Sequence, residues 1–374
     1  MRRVFQRAEQ MGLLADLPTL AGLSADRLAE IHGATPVSAT EYEQICRALA
    51  VDPVSMYRGD ETQPRRLPAR FRAATSQDSP NPRDVRVLAL AAEQGRILAH
   101  LAAALGRKIK LAGLRRVLAA KPRRTREDGY DLGEQAHEAL EQQPEPIMEV
   151  EQLMRDLGVH VARIEFSSPD VDASAVWEPG AVPIILLNDA SGRVHHPGAV
   201  RAALAHELCH LLHDAGAQDL TTRVSWGTED VGNYADAVEV RARAFAPAFL
   251  APRPSTRAWA QHLRARQKRN DRELVAALAQ YWGLSFEGAA WHARNCQLVS
   301  PASADALAKL PRKPQIDYSR FESVPSGGPP SMVHESLPEK PASIWNGWAT
   351  EVVLAAMLEG HITVGRAREL LTWG

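Results

Sequence analysis

The chain has 374 residues, 45% hydrophobic and 24% charged, with a formal net charge of −1. This length is enough for two or three domains, and the near-neutral charge excludes a globally basic nucleic-acid-binding protein. The three cysteines, Cys46, Cys209 and Cys296, are too few and too scattered for a disulfide framework, which fits a reducing cytoplasm. Because no apolar run reaches membrane-spanning length and no signal-peptide core is present, we expect a cytoplasmic protein with no membrane partner.

Residues 1–60 have the pattern of an all-α helix-turn-helix domain. Residues 17–24 predict a short helix and a tight turn, and residues 25–33 predict the recognition helix that follows. Together with the predicted closing helices at residues 37–51, the segment resembles the helix-turn-helix domain of XRE-type repressors. It holds six Arg/Lys and eight Asp/Glu. Because phosphate contacts supply much of the affinity for DNA, operator binding and a degenerate domain used for protein contact both stay open.

Positive charge is concentrated in residues 61–126, which hold sixteen Arg/Lys and four Asp/Glu. We interpret this segment as a basic helical linker that contains one long amphipathic helix at residues 85–105. Its basic stretch is a candidate contact for DNA or RNA, with a solvated linker or a docking surface for acidic residues as the alternatives. The candidate nucleic-acid contacts are Arg107, Lys108, Lys110, Arg115, Arg116, Arg123 and Arg124.

Residues 127–300 predict a domain that mixes helices with a small sheet. A helix at residues 147–158 leads into three strands, at residues 159–166, 173–177 and 182–187. Further along, two helices separated by a glycine turn are predicted at residues 271–282 and 286–295. The expected fold class is therefore α+β and mostly helical, with the all-α segment at the N-terminus.

Residues 206–210 read His-Glu-Leu-Cys-His, and this HExxH pattern carries most of the functional information. Pro197 marks the start of a predicted helix, on which the two histidines lie one turn apart. Imidazole nitrogens are good ligands for zinc, and a neighbouring carboxylate can act as a general base. The pattern predicts a Zn2+ site with His206 and His210 as ligands and Glu207 as the catalytic base.

A catalytic zinc needs a third protein ligand and an open position. The best candidate is Glu239, at the start of a second predicted helix, and Asp236 is the competing carboxylate. A closed structural zinc site would need a fourth protein ligand, and the nearby cysteine is Cys209. Helical spacing places Cys209 on a different face from the two histidines, which disfavours such a site. Three residues are candidates for donating a hydrogen bond to the reaction oxyanion, and the sequence does not choose among them: Tyr234, His213 and His292.

These two helices resemble those of the ImmA/IrrE zinc metallopeptidases, which carry the patterns A-H-E-x-x-H and E-x-x-A-N-x-F-A-x-x-L-L-x-P. Cys209 stands where the family has glycine, and Arg243 where it has asparagine. We interpret Cys209 as a small hydrophobic residue, with an oxidation-sensitive thiol as the alternative. The matching residues are Ala205, His206, Glu207 and His210, then Glu239, Ala242, Phe245, Ala246, Phe249, Leu250 and Pro252.

The resemblance covers roughly residues 130–300. It implies a zincin-like core with His206, His210 and Glu239 as zinc ligands and Glu207 as the base. It also implies a site-specific endopeptidase that cleaves a DNA-binding repressor, encoded nearby, to activate a stress, mobile-element or phage-defence response. The alternative is a DNA-binding transcriptional regulator or toxin–antitoxin component with little or no proteolysis.

The C-terminal part begins with a proline-rich stretch, residues 301–343, which predicts an irregular linker. Residues 344–374 predict a helical pair, with Thr363 as the N-cap of the second helix. The pattern of this second helix resembles the ending of some members of the same family. We expect the pair to pack back onto the peptidase, anchored by Trp345 and Trp348.

Overall fold

A computed structural model describes residues 1–58, 81–118, 126–140, 144–214, 221–226, 237–321, 345 and 347–372 of the chain. Within these ranges the chain is mostly helical and forms one small sheet, so the predicted α+β class is confirmed. None of the helices in the described ranges combines the length and the apolar character needed to cross a membrane.

Short helices form the N-terminal segment. Gly22, whose φ of 66° is left-handed, ends the second helix, and Ser24 caps the third by accepting a hydrogen bond from the backbone N–H of Arg27. The predicted helix, tight turn and helix are therefore present locally, whereas the assignment to an XRE-type domain stays a prediction. The helices are α1 (Arg2–Met11), α2 (Leu17–Ala21), α3 (Ala25–His32), α4 (Ala39–Ala48) and α5 (Pro53–Arg58).

The long helix predicted at residues 85–105 is α6 (Pro82–Ala104), and it is a core helix rather than part of a linker. Residues 88–95 are all buried. The N–H of Val182 donates to the carbonyl of Gly95 at 2.9 Å, and a Cβ added to Gly95 would lie 2.5 Å from the carbonyl oxygen of Val182. Only glycine allows this close approach of the helix to the sheet. Residues 61–80 of the predicted linker lie outside the described residues.

Four strands form one sheet: β1 (His160–Ile164), β2 (Val171–Trp177), β3 (Ile184–Asn188) and β4 (Thr221–Trp226). Their order in the sheet is β1-β3-β2-β4. β1 runs parallel to β3, while β2 is antiparallel to both β3 and β4. The three predicted strands are confirmed within a few residues, and β4 was not predicted. The helices that precede the strands are α7 (Leu111–Val117), α8 (Arg126–Ala139) and α9 (Val150–Asp156).

Helices cover both faces of the sheet, and alternate residues of β3 belong to two different hydrophobic cores. Ile184 and Leu186 pack with α6, the N-terminal helices and the C-terminal helices. Ile185 and Leu187 pack with the helix that carries the HExxH pattern, α10 (Pro197–His213). This arrangement explains why β3 is apolar at successive positions, because a strand buried on both sides has no solvent-facing residue.

The helices after the sheet complete the second core. Two of them have the predicted bounds, α13 (Asp271–Trp282) and α14 (Phe286–Asn295). The prediction of an irregular segment from residue 301 is wrong at its start, because α15 (Pro301–Ala308) is a helix whose N-terminus is capped by Ser300. Residues 322–344 lie outside the described residues. The other two helices are α11 (Ala237–Leu250) and α12 (Arg253–Arg266).

The predicted C-terminal pair is present as α16 (Gly347–Leu358) and α17 (Val364–Thr372), and Thr363 caps α17 as expected. The pair packs against α6 and the N-terminal helices, on the face of the sheet opposite α10. Arg366 donates to Asp52 at 3.0 Å, which ties the last helix to the segment before α5. Contact with the sheet includes Trp348, whose ring centroid lies 6.2 Å from that of His160.

Candidate metal centre

Helices α10 and α11 bring three predicted ligands together. His206 Nε2 lies 3.0 Å from His210 Nε2 and 3.1 Å from Glu239 Oε2. His210 Nε2 lies 3.2 Å from Glu239 Oε1. Among the described residues, these side chains form a group whose ligand atoms all lie within 4.8 Å of one another, close enough to share a metal ion.

The spacing of these atoms fits a tetrahedral ion. Zinc–nitrogen and zinc–oxygen bonds of 2.0–2.1 Å at tetrahedral angles place neighbouring ligand atoms about 3.3 Å apart. The two histidine nitrogens are 3.0 Å apart, and each lies 3.1 or 3.2 Å from a different oxygen of Glu239, so the separations are close to that value. His210 is fully buried and Glu239 is partly exposed, so the three ligands form a pocket that is deep at His210 and accessible at Glu239.

The pocket also has an excess of negative charge. Glu207 and Asp214 add two carboxylates to that of Glu239, while Arg241 supplies one nearby positive charge. Burial disfavours the charged form of His210, but the neighbouring Glu239 and Asp214 carboxylates outweigh it and raise the pKa of His210 to about 10. Burial likewise opposes ionisation of Glu239, but the two histidines hold its pKa well below the usual range. Such a pocket suits a divalent cation.

Glu207 follows His206 on α10 and is completely buried. Its negative charge is close enough to contribute to the raised pKa of His210. A carboxylate that is not itself one of the three clustered ligands therefore lies beside them, which is the position a general base needs. Its neighbour Cys209 is also buried, and burial raises the pKa of its thiol. These properties fit the small hydrophobic residue that we expected and not a reactive thiolate.

The oxyanion role predicted for His292 does not fit its contacts. Its Nδ1 lies 3.1 Å from the hydroxyl of Tyr130 and its Nε2 lies 3.4 Å from the hydroxyl of Thr256. Both ring nitrogens are therefore engaged inside the helical core. Burial lowers the pKa of His213 to about 4, and its ring packs edge-on against Phe245. An oxyanion role for His213 stays a prediction. Tyr234, the third candidate for that role, and Asp236, the carboxylate that competes with Glu239 as a ligand, lie outside the described residues.

The predicted nucleic-acid contacts divide into two groups. Arg115 contacts both α10 and β2: its Nε donates to the carbonyl of Leu212 at 3.2 Å, and its guanidinium lies 4.2 Å above the ring of Trp177. Arg115 is only partly exposed and braces α7 against α10, so it is less suited to a nucleic-acid contact than a fully exposed residue. The exposed basic residues, for which the role stays a prediction, are Arg107, Lys108, Lys110 and Arg116. Arg123 and Arg124 lie outside the described residues.

The predicted recognition helix, α3, presents little positive charge. The guanidinium of Arg27 donates to Glu41 at 2.7 Å, to Glu30 at 2.9 Å and to the carbonyl of Pro36 at 2.9 Å. Asp26 and Glu30 are exposed on the same helix. Since phosphate contacts require free positive charge, this surface is poorly suited to DNA.

Two residues beside the metal cluster were missed from the sequence. Asp214 accepts a hydrogen bond from His210, and Arg241 donates to Asp214. The spacing of four residues between His210 and Asp214 was the available signal, because residues so spaced share a helix face. A buried arginine has no comparable sequence signal, since arginine is almost always exposed.

Residues 154–291 match a peptidase family model, Peptidase_M78, described as the IrrE N-terminal-like domain. The matched range begins in α9 and ends in α14, so it contains the sheet and both helices of the metal cluster. No curated protein matches the chain. The match and the cluster of two histidines and a glutamate together support a metal-dependent peptidase domain of the IrrE N-terminal-like family within this chain.

Proposed function

We propose that the chain is a zinc-dependent, site-specific endopeptidase of the cytoplasm. Its proposed substrate is a DNA-binding repressor encoded nearby, whose cleavage activates a stress, mobile-element or phage-defence response. The observation that carries the enzymatic part is the convergence of His206, His210 and Glu239 beside Glu207, inside the segment that matches the peptidase family. The repressor is proposed from the resemblance to ImmA/IrrE proteins.

Each residue of the cluster has a defined role in this proposal. His206, His210 and Glu239 would hold the zinc, and three protein ligands are the number that catalytic zinc sites use. Bound zinc supplies Lewis acidity that polarises a peptide carbonyl and lowers the pKa of water. Glu207 accepts a proton from the attacking water and delivers it to the leaving amine, for which its place next to His206 is suited.

The sheet offers a way to hold an extended substrate. In the described residues β4 lies at one edge of the sheet and pairs with β2 through its other side. An extended peptide can add to such an edge by main-chain hydrogen bonds. We propose that the cleaved segment binds along β4 in this way, so that the sheet aligns the scissile bond with the metal cluster.

The alternative function, a regulator with little or no proteolysis, requires the N-terminal helices or the basic stretch to bind DNA. The contacts of Arg27 and the acidic exposed side chains of α3 work against DNA binding by the helices. The contacts of Arg115 make one residue of the candidate basic surface less suited to such binding. These observations favour the peptidase.

The test combines a cleavage assay with a promoter gel shift. The purified chain is incubated with the repressor encoded beside its gene, as wild type, as Glu207→Gln, and as Glu138→Gln, an exposed control on α8. We expect the wild type and the control to cut at one site. Glu207→Gln should keep its zinc and cut at least about 100-fold more slowly, the minimum typical contribution of a general base. Tight promoter binding without cleavage would support the regulator, and cleavage by Glu207→Gln at the wild-type rate would contradict the assigned base.

A further inference from the structure

Asp214 lies immediately after α10, one turn beyond His210. Its Oδ2 accepts a hydrogen bond from His210 Nδ1 at 2.8 Å, and the two side chains are 6% and 0% exposed. The other ring nitrogen of His210, Nε2, faces His206 and Glu239 at 3.0 and 3.2 Å. With Nδ1 donating to Asp214, Nε2 is the ring nitrogen that faces the cluster and that would bind a metal ion.

Asp214 is itself fixed by a second helix. Its other carboxylate oxygen, Oδ1, accepts a hydrogen bond from Arg241 Nη2, and the Arg241 side chain is 2% exposed. Arg241 lies two residues after Glu239 on α11. The Asp214 carboxylate thus connects His210 on α10 with α11, the helix that carries Glu239. One of its oxygens contacts His210 and the other contacts Arg241.

We propose that Asp214 is the positioning residue of the zinc site, acting through His210, and that Arg241 holds Asp214 in place. The inference rests on the proposed zinc site. A carboxylate hydrogen-bonded to a ligand histidine fixes the tautomer and orientation of the ring and makes it a stronger ligand. A carboxylate that only braced two helices would affect folding but not the affinity of the folded protein for zinc.

Zinc affinity of the folded protein separates these two roles. We expect Asp214→Asn to weaken zinc binding by about 10- to 100-fold, the usual loss when such a partner of a ligand is removed. The matched control is Asp305→Asn, the same substitution in an exposed i,i+4 ion pair with Lys309, which should bind zinc as the wild type does. In the double variant Asp214→Asn/Arg241→Gln the buried ion pair becomes a neutral pair, which leaves no uncompensated buried charge. It should fold and still bind zinc more weakly.

The position of the proton on His210 in the wild type tests the proposal even if the variants do not fold. In ¹⁵N spectra of the zinc-loaded protein, His210 should carry its proton on Nδ1 and coordinate through Nε2. In addition, the visible absorption spectrum of cobalt-substituted Asp214→Asn should differ from that of the cobalt-substituted wild type. A proton on Nε2, or wild-type zinc affinity in both Asp214 variants, would overturn this inference alone. A wild-type protein that takes up no zinc would overturn the proposed function as well.

Discussion

The guanidinium of Arg201 donates a hydrogen bond of 2.6 Å to the carbonyl oxygen of Ile147. It also donates to the carbonyls of Met148 and Gly283, each at 3.1 Å, and lies 4.3 Å from the ring centre of Phe321. Arg201 is buried and stands five residues before His206 on α10. It anchors the first half of α10 to the segment before α9 and to the turn between α13 and α14.

We expect Arg201→Met to destabilise the protein by at least about 2 kcal/mol, because each buried carbonyl that loses its donor costs about 1–3 kcal/mol. The measurement is urea unfolding followed by tryptophan fluorescence. Arg272→Met, an exposed position on α13, is the control and should change the free energy of unfolding by less than about 0.5 kcal/mol. Equal values for the two variants would show that the contacts of Arg201 do not stabilise the fold.

Removal of the metal should lower stability, because the excess negative charge of the pocket is then no longer balanced. Zinc at 100 times its dissociation constant stabilises a folded protein by about 2.7 kcal/mol. We therefore expect a chelator to lower the melting temperature of the wild type and of the exposed control Glu138→Gln. Glu239→Gln, which lacks one ligand, should show a much smaller change. A chelator effect of wild-type size in Glu239→Gln would exclude Glu239 as a ligand.

Stability should fall in mild acid because of His292. Burial lowers the pKa of His292 to about 3 in the folded protein, from 6.5 in the unfolded chain. Between these values the unfolded state binds a proton that the folded state does not, so stability is full above pH 6.5 and declines as the pH falls towards 3. From pH 6.5 to 5 the loss from this one group is about 2 kcal/mol.

The measurement is the free energy of unfolding in urea between pH 7 and pH 5. His292→Gln should be less stable at neutral pH but should show a shallower dependence on pH than the wild type. His262→Gln, at an exposed position on α12, should keep the wild-type slope. A wild-type slope in His292→Gln would show that other groups account for the acid sensitivity.

The contact between α8 and α11 depends on glycine. A Cβ added to Gly133 would lie 2.6 Å from the carbonyl oxygen of Phe245 and 2.8 Å from the Cβ of Ala248. Gly133→Ala should therefore push the two helices apart and cost about 1–3 kcal/mol, the usual cost of overpacking. Gly113→Ala on α7 meets nothing within 4 Å and should be neutral or stabilising. Thermal unfolding of the two variants compares them directly, and equal melting temperatures would contradict the close packing.

Much of the peptidase region could be predicted because its local signals agree with one another. The strand at residues 184–188 and the helices α13 and α14 have strong apolar patterns, and Gly283 marks the turn between the helices. The three clustered residues, His206, His210 and Glu239, were predicted as ligands from two short motifs. The structure brings polar atoms of the predicted ligands within 3.2 Å of one another, although Glu239 lies 29 positions after His210.

Other features could not be predicted because they depend on contacts between distant segments. α6 has an alanine-rich pattern that indicates one buried stripe, but the sheet and the C-terminal pair cover it on several sides. Arg201 and Arg241 look like surface residues in the sequence, and their burial depends on partners that only the folded chain provides. α15 did have a local signal, the serine before Pro301, but the many prolines that follow obscured it.

The two ends of the chain share one core, since Ile45 of α4, Leu88 of α6 and Val352 of α16 belong to the same cluster. Removing the last two helices would expose apolar surface of α6 and leave Asp52 without Arg366. The properties of a truncated protein would therefore reflect an exposed hydrophobic core, because the last two helices are part of that core. A fusion protein that includes the N-terminal helices must also include α6, α16 and α17 if those helices are to keep their native fold.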